Sequence, residues 1–489
     1  MKRKRNKKKT ITTKDTFTFD ERSLRELFEG CEDVIIRKMS IEIGNILIIS
    51  CEGLYDQKAL FDYVLNPLQK NNDKSKGLKE VLSATVKELG PSVTKEHIVE
   101  AVFIGKVVLL HMESSALWEV EAVDHPKRSV EEPNTEVSIR GSKEGFVEEI
   151  KMNTALVRKR MRSSSLKVAT YVIGERTKTT VQLLYMEDIT NKKVIKEVQS
   201  RLEKINIDGL ESSLQIEELI GDTKKPLFPL FAYTGRPDYV IESLLHGRFA
   251  ILMDGTPTAL IAPVNLFFIL KTAEDHNVSS IFVFFERMMR VIGLYIALFL
   301  PAFWIALISF HPDQLPFTLL ATVTLSRDGV PFSAAVECFM MLFLFEMFRE
   351  AGVRLPTAIG QILSVVGGLI IGQAAIAAGF TAPGILVVNA IALVATFTLI
   401  NQSLTGLVGI IRLIILFITS LFGMFGFFLC MFALVGYLAG LRSFGIPYLS
   451  PLSPPRPKEV IESFWHSAND AKRRPKMLKT IDFSRKGRE

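Results

Sequence analysis

The stretch LPTAIGQILSVVGGLIIGQAAIAAGFTAPGILVVNAIALVATFTLINQSLTGLVGII, residues 355–411, contains no Asp, Glu, Lys, Arg or His. One crossing of a bilayer needs only about 20 apolar residues, so this run is long enough for two. Residues 381–384, Thr-Ala-Pro-Gly, interrupt it with turn-forming chemistry. The sequence therefore predicts helical crossings over residues 359–380 and 385–400, within a multi-pass α-helical membrane protein.

Two further uncharged runs lie on either side of this pair. Residues 291–310 contain Pro301, which a membrane helix tolerates because neighbouring helices can satisfy the freed carbonyl group. Residues 413–441 are long for one crossing, so this helix is predicted to tilt, to bend at Gly423 and Gly426, or to form a helical hairpin. Together these runs predict a helical membrane domain over residues 288–441.

Residues 331–348, PFSAAVECFMMLFLFEMF, are ambiguous because Glu337 and Glu346 interrupt otherwise apolar sequence. A carboxylate is costly at the middle of a bilayer. The segment is either a crossing whose glutamates face the bundle or a water path, or a re-entrant or interfacial amphipathic helix. The first alternative gives six crossings if residues 413–441 form a hairpin, and the second gives four.

The composition divides the chain into a soluble part and a membrane part, with 48% hydrophobic and 23% charged residues among 489 and a net charge of +7. Residues 1–18 are a basic arm without the apolar segment of a signal peptide, which predicts a cytosolic N-terminal domain. The Pro-rich and basic tail, residues 442–489, is also predicted to be cytosolic. Residues 441–457, LRSFGIPYLSPLSPPRP, are predicted to lie along the membrane surface and contact the soluble domain.

The N-terminal domain is predicted to be a two-lobed α+β unit, with lobes at residues 19–134 and 135–222 and a polar joining segment at 223–287. In the first lobe, strands are predicted near residues 34–36, 46–49, 102–110 and 117–123, and helices over 57–69 and 78–89. In the second lobe, a helix over about 145–161, a hairpin of residues 167–173 and 179–185, and a helix over 192–204 are predicted. The cleft between the lobes either binds a ligand or belongs to a docking surface.

No pattern in the sequence points to catalysis. The four cysteines show no metal-binding spacing, the seven histidines are scattered, and no nucleotide-binding glycine motif follows a strand. We therefore expect no enzyme activity, no cofactor, no metal site and no nucleic-acid partner.

The joining segment combines turn chemistry with charge. Pro237 and Asp238 can open a helix with the acid near its positive end, and residues 254–257, Asp-Gly-Thr-Pro, predict a turn between two strands. The candidate motif residues in this segment are Arg236, Pro237, Asp238, Gly247, Arg248, Asp254 and Gly255.

This segment and later ones resemble the GerA family of spore germination proteins, the A subunits of nutrient germinant receptors. The matching pieces, in order along the chain, are RPDYV at residues 236–240, LLHGRFAILMDGTP at 244–257, EMFREAGVRLPTAIGQ at 346–361, VVGGLIIGQAAIAAG at 365–379 and LRSFGIPYLSP at 441–451. Gly235 replaces a frequent acid, and His276 and Asn277 replace a frequent aromatic pair, which affects local contacts only.

The resemblance implies a receptor subunit in the inner membrane of a bacterial spore, assembled with B and C subunits. It also implies a homo-oligomer in the lipid bilayer that passes ions, with monovalent cations as candidates, when nutrients activate the receptor. Alternatives are a secondary transporter, which would show repeated halves, and a non-conducting scaffold for the partner subunits.

The first helix of the central pair carries small residues at every fourth position, which lets a neighbouring helix approach closely. That neighbour belongs either to the same chain or to another copy around a pore. The candidate pore or packing residues are Gly360, Gln361, Ser364, Gly368, Gly372 and Gln373.

Charged residues cluster near the ends of the apolar runs. Glu286 and Arg290 are four residues apart, as are Glu346 and Glu350. They form either an interfacial girdle that anchors helix ends or, at Glu337 or Glu346, a pore mouth that attracts cations. The candidate residues are Glu337, Glu346, Arg349, Glu350 and Arg354.

Overall fold

The computed structural model describes residues 19–41, 44–70, 86–90, 93–124, 141–224, 226–353, 372–399, 401–465 and 475–482. The basic arm, residues 1–18, lies outside these ranges. Most of the predicted first central crossing and much of the basic tail also lie outside them. The described residues form two α+β lobes, a helical domain and a returning C-terminal segment.

The first lobe is a five-stranded antiparallel sheet with a helical layer on each face. Its elements are α1 (Glu21–Leu27), β1 (Val34–Ile41), β2 (Gly44–Cys51), α2 (Gln57–Leu60, continued by helical residues to Lys70), β3 (Val86–Leu89), α3 (Lys95–Ile104), β4 (Val107–His111) and β5 (Leu117–Val120). The strand order is β1-β2-β4-β5-β3. Alternate residues of β2 and β4 point to α1 and α3 on one face and to the α2 run on the other, so these central strands are buried on both faces.

Two predicted elements of this lobe are corrected. Residues 86–89 form an edge strand paired with β5, not the end of a helix over 78–89; residues 78–85 lie outside the described ranges. Residues 102–104 end helix α3, not a strand, because Thr94 caps the helix start and Gly105 ends it with a φ of +102°.

The second lobe has the same plan, and its sheet reaches into the segment predicted as a polar joiner. Its elements are α4 (Ile150–Arg160), β6 (Leu166–Ile173), β7 (Thr179–Met186), α5 (Lys192–Glu203), α6 (Ser213–Ile220), β8 (Ala232–Thr234), α7 (Pro237–Leu245), β9 (Phe249–Met253), β10 (Ala259–Ala262) and α8 (Leu266–Ile269). The order β6-β7-β9-β10-β8 places β9 beside β7. The lobe therefore extends beyond the predicted boundary at residue 222, because non-local pairing decides where the sheet ends.

The two lobes are docked through buried contacts. Arg158 on α4 donates to both carboxylate oxygens of Asp33, at 2.5 and 2.8 Å, and the two side chains are 0% and 3% exposed. Val168 on β6 forms a parallel bridge with Cys31, so the edge of the second sheet pairs with the first lobe. A buried two-point ion pair fixes orientation as well as distance.

The helical domain contains α9 (Ser280–Phe310), α10 (Phe317–Ser326), α11 (Ala334–Val353), α12 (Pro383–Phe397) and α13 (Gln402–Gly440). Pro383 begins α12, as the turn at residues 381–384 predicts. The ambiguous segment is a continuous helix, α11, packed against α9, α12 and α13. Within the described parts of the chain, Ser280–Phe310 and Ser403–Gly440 are long and apolar enough to cross a bilayer.

Helix α13 reverses direction at Gly423. This residue has φ 59° and ψ −140°, which no helix contains. A Cβ built on Gly426 would lie 2.8 Å from the carbonyl oxygen of Ile418, although eight residues of straight helix span about 12 Å. Residues 402–422 and 424–440 are therefore the two arms of a hairpin.

The outside of the helical domain is apolar. Ile281, Phe425 and Phe432 are 74%, 71% and 67% exposed, and many large apolar side chains of these helices share this exposure. Soluble proteins rarely expose an apolar surface of this extent. The surface is typical of a protein embedded in lipid.

The segment after α13 returns to the second lobe. Strands β11 (Arg442–Ser443) and β12 (Ile446–Pro447) form a small hairpin, followed by α14 (Pro457–Phe464). Phe444 packs edge-to-face against Phe231 and Phe249, and the backbone carbonyl of Tyr448 accepts the N–H of Leu266 at 2.9 Å. The predicted contact between this segment and the soluble domain is confirmed.

Candidate functional site

The motif residues of the joining segment hold the second lobe together. Arg236 is 1% exposed and donates to Asp238 at 2.7 Å and to Glu274 at 2.6 Å. Burial opposes the charge of this guanidinium, but the hydrogen bonds to the two carboxylates outweigh burial and raise the pKa of Arg236. Pro237 is the first residue of α7, as predicted. This part of the motif fixes the start of α7 against the residues that precede α9.

The turn residues of the motif join β9 to neighbouring elements. Gly247 has a φ of +91°, and a Cβ there would lie 2.5 Å from the methyl carbon of Thr480. Asp254 accepts the N–H of Ile150 at the start of α4, at 3.1 Å, and Gly255 donates to the carbonyl of Glu148 at 2.8 Å. The predicted turn at residues 254–257 is confirmed and contacts the start of α4, whereas Gly247 lies against the C-terminal segment.

Arg248 lies inside the lobe beside an aromatic ring. Its Nε donates to the carbonyl of Pro263 at 3.1 Å, and its guanidinium lies 3.8 Å from the ring centre of Phe268. Burial lowers the pKa of Arg248 to about 10. Burial also lowers the pKa of Lys271 to about 8, with a further contribution from Arg287. These basic groups lie next to the point where the lobe meets the first long helix.

That junction is a buried ion cluster centred on Asp275. The carboxylate accepts from Arg287 Nε at 2.8 Å, from Arg290 Nη1 at 3.0 Å and from the hydroxyl of Thr272 at 2.6 Å. Burial raises the pKa of Asp275, but the two arginines outweigh burial, so its pKa is lowered. Glu286 adds a contact to Arg290 at 3.1 Å. The cluster ties the second lobe to the start of α9.

Charged side chains also lie inside the helical domain. Glu337 is 0% exposed, accepts the N–H of Ala382 at 3.0 Å and lies 2.8 Å from Arg327. Glu346 pairs with Arg412 at 2.5 Å and with Arg349 at 2.6 Å, and Arg412 is also 0% exposed. Glu350 is exposed, and Arg354 lies outside the described residues. Both glutamates of the ambiguous segment therefore face the bundle.

A polar pair lies between these two charge clusters. Asn389 on α12 donates to the carbonyl of Cys338 at 3.4 Å and accepts from its thiol at 3.2 Å. Thr396 lies seven residues, or about two helical turns, further along α12 and contacts Arg412 at 3.4 Å. Polar groups thus run along the inner faces of α11, α12 and the first arm of α13.

Sequence reasoning missed Asp275, Arg327, Asn389 and Arg412 as site residues. Arg412 ends the uncharged run and so resembles a loop residue, but α13 begins ten residues earlier at Gln402. For Asp275 a signal exists in the sequence. Arg287 and Arg290 lie on one side of α9 at the edge of an apolar run, and arginines in such a place need an acid partner.

The candidate pore or packing helix is only partly described. Gly360, Gln361, Ser364 and Gly368 lie outside the described residues. Gly372 is buried, and a Cβ on it would lie 3.0 Å from the side chain of Leu386 on α12. Gln373 is exposed. Close packing at Gly372 thus involves a helix of the same chain.

Comparison with known proteins gives consistent relationships over nearly the whole chain. The family model described as Bacillus/Clostridium GerA spore germination protein matches residues 22–477. Spore germination protein XA of Bacillus anthracis is 45% identical over 484 residues, covering 96% of this chain and 98% of that protein. Spore germination protein KA of Bacillus subtilis (strain 168) is 32% identical, covering 94% of this chain and 86% of that protein.

One solved structure is also similar to this chain. It is the crystal structure of the N-terminal domain of the A subunit of the Bacillus megaterium spore germinant receptor GerK3, with 32% identity and a TM-score of 0.38. The match covers 50% of this chain and 92% of that domain.

Proposed function

Because the chain belongs to the GerA family of spore germination proteins, as an A subunit of a nutrient germinant receptor, we propose that it relays the germination signal by oligomerising into an ion-conducting path. The observation that carries this proposal is the set of charged side chains inside an otherwise apolar bundle. Ionisable groups at membrane depth are costly and typically mark ion or proton pathways. Glu337, Glu346 and Arg412 are such groups.

The proposed relay begins in the soluble lobes and reaches the membrane through Asp275. A buried ion cluster transmits displacement because breaking it leaves uncompensated charges. Movement of the second lobe would therefore move the start of α9, and the arms of α13 that pack on α9. We place the candidate helix at residues 359–380 at the axis of the oligomer, where uncharged polar groups suit passage without tight binding.

The proposed topology has six crossings: α9, α11, residues 359–380, α12 and the two arms of α13. This even number keeps the lobes and the C-terminal tail on one side, which we propose is the cytosolic side of the inner spore membrane. Proposed partners are the B and C subunits of the receptor, further copies of this chain, the lipid bilayer and monovalent cations.

Reconstitution tests the proposal against its alternatives. Purified protein in planar bilayers should show single-channel conductance for K⁺ or Na⁺, and Glu337→Gln or Glu346→Gln should change that conductance. Saturable substrate counterflow in vesicles would instead support a secondary transporter. Absence of both, in preparations that contain the B and C subunits and respond to nutrient, would leave a scaffold role and refute conduction.

A further inference from the structure

We propose that Glu337 and Thr381 form a monovalent-cation site inside a single copy of the chain, and that the guanidinium of Arg327 fills this site in the present conformation. The inference rests on the proposed function only in assuming that cations reach this part of the helical domain. It concerns the far end of the bundle, not the axis between copies.

The site lies at the end of the helical domain that faces away from the lobes. Helix α9 starts at the Asp275 junction, and Gly293 on α9 lies against Ala395 and Thr398 at the C-terminal end of α12. The C-terminal end of α12 is therefore on the lobe side. Its 15 residues span about 22 Å, which places Thr381 and Ala382, before its first turn, at the opposite end.

The oxygen atoms at this end are buried and incompletely paired. Glu337 and Thr381 are 0% and 1% exposed. Glu337 Oε2 accepts the N–H of Ala382, whereas Oε1 lies 2.8 Å from Arg327 Nη2 without hydrogen-bond geometry. Thr381 Oγ1, next in the chain to Ala382, has no hydrogen-bond partner among the described residues. Carboxylate and hydroxyl oxygens are the ligands that hard cations prefer.

Arg327 behaves as a tethered cation at this position. It follows α10 in an exposed turn, its side chain is 23% exposed, and it reaches Glu337 from the protein surface. Its Nη1 is buried without a hydrogen-bond partner among the described residues, so the fit between guanidinium and site is incomplete. Withdrawal of this side chain would leave a buried carboxylate uncompensated, and a small cation that takes its place restores neutrality.

The test removes the tethered cation and measures whether a free cation replaces it. Full-length wild type, Arg327→Gln and the double variant Arg327→Gln/Glu337→Gln are purified in detergent. Their thermal unfolding is compared in potassium chloride and in choline chloride at equal concentration. We expect K⁺ to raise the Tm of Arg327→Gln by about 3 °C or more over choline, with no such difference for wild type or the double variant. Adding Thr381→Val to Arg327→Gln should reduce the K⁺ response.

An equal response of Arg327→Gln to both salts, or a K⁺ response that survives Glu337→Gln, overturns the inference. If Arg327→Gln yields no folded protein, Arg327→Lys replaces it. A lysine binds a carboxylate as a point charge and lacks the paired N–H donors of arginine. K⁺ should therefore compete with the introduced lysine for Glu337 and raise the Tm over choline. An equal Tm in the two salts overturns the inference. Because this test measures cation binding and not conductance, a negative result leaves the conduction proposal standing. Likewise, absence of conductance leaves the cation site untouched.

Discussion

Asp275 is the residue on which the connection between lobe and membrane helix depends. Its carboxylate is shared by Arg287 and Arg290, which are both buried. Asp275→Asn leaves the buried guanidinium of Arg287 without its anion and leaves Arg290 with only the partly exposed Glu286. We expect the free energy of unfolding to fall by about 3–5 kcal/mol, measured by thermal or denaturant unfolding of the full chain in detergent.

The matched control is Glu286→Gln, which removes a carboxylate from the same cluster. The Glu286 side chain is 35% exposed, so its loss should cost less than about 1 kcal/mol. Equal effects of the two substitutions would contradict the central role given to Asp275.

Lys271 gives a second prediction at the residue scale. Its pKa is about 8 in the folded protein against an ordinary value of 10.5. Between these values the unfolded chain binds more protons, so stability should rise as pH increases from about 8 to 10.5. Lys271→Met should remove this rise and stabilise the protein at neutral pH by about 1–2 kcal/mol, less than the full shift implies because the side chain keeps some contact with solvent.

The measurement for Lys271 is a series of unfolding curves across that pH range. Lys193→Met, at an exposed position on α5, serves as the control and should leave stability within about 0.5 kcal/mol at each pH. An unchanged pH profile in Lys271→Met would show that this lysine is not the group responsible.

At the scale of elements, the reversal of α13 depends on Gly423. Its φ of +59° is disfavoured for any residue with a Cβ, and a Cβ there would lie 2.7 Å from the ring of Phe310. Gly423→Ala should therefore destabilise the protein by about 2–4 kcal/mol, from backbone strain and displacement of the ring. Thermal unfolding in detergent, with proteolysis as a check on the hairpin, measures this.

Gly436→Ala is the control in the same helix. A Cβ on Gly436 meets nothing within 4 Å, and alanine favours the helix over glycine by up to about 1 kcal/mol. This variant should be neutral or slightly more stable. If both substitutions behave alike, the hairpin does not require the glycine conformation at 423.

How far sequence predicts an element depends on whether the determining interactions are local. The hairpin of β6 and β7 is predicted to within one residue because alternating side chains mark both strands. Residues 102–110 are predicted as one strand because they form one largely apolar run. In the structure this run contains the end of α3 and the strand β4, which Gly105 separates. Strand β9 is placed by pairing with β7 across more than 60 residues, and β10 and then β8 extend the sheet from β9. No local pattern encodes the pairing of β9 with β7.

The candidate site shows the same division. The turn at residues 254–257 and the start of α7 at Pro237 follow from local chemistry, and both are confirmed. The pairs Glu346–Arg412 and Glu337–Arg327 join helices that are distant in sequence. Sequence identifies the glutamates as unusual, but their partners emerge only from packing.

For the whole molecule, the number of crossings can be tested by cysteine labelling. The four native cysteines are buried, so background reaction should be low. In the six-crossing arrangement, Ser403→Cys reacts from the same side as Lys458→Cys, and Asp313→Cys reacts from the other. Four crossings, with residues 331–348 re-entrant, would put Ser403 on the same side as Asp313, and this result would refute the proposed topology.

The return of the C-terminal segment to the second lobe has a consequence for biosynthesis. Phe231 and Phe249 are made before any helix of the helical domain, but Phe444, which packs against both rings, is made only after all of the described helices of that domain. Until translation is nearly complete, this aromatic surface of the nascent lobe lacks the ring of Phe444. Aborted copies that stop before residue 441 keep it exposed and so carry a signal for chaperones and proteases. We therefore expect copies truncated before residue 441 to be degraded faster than the full chain.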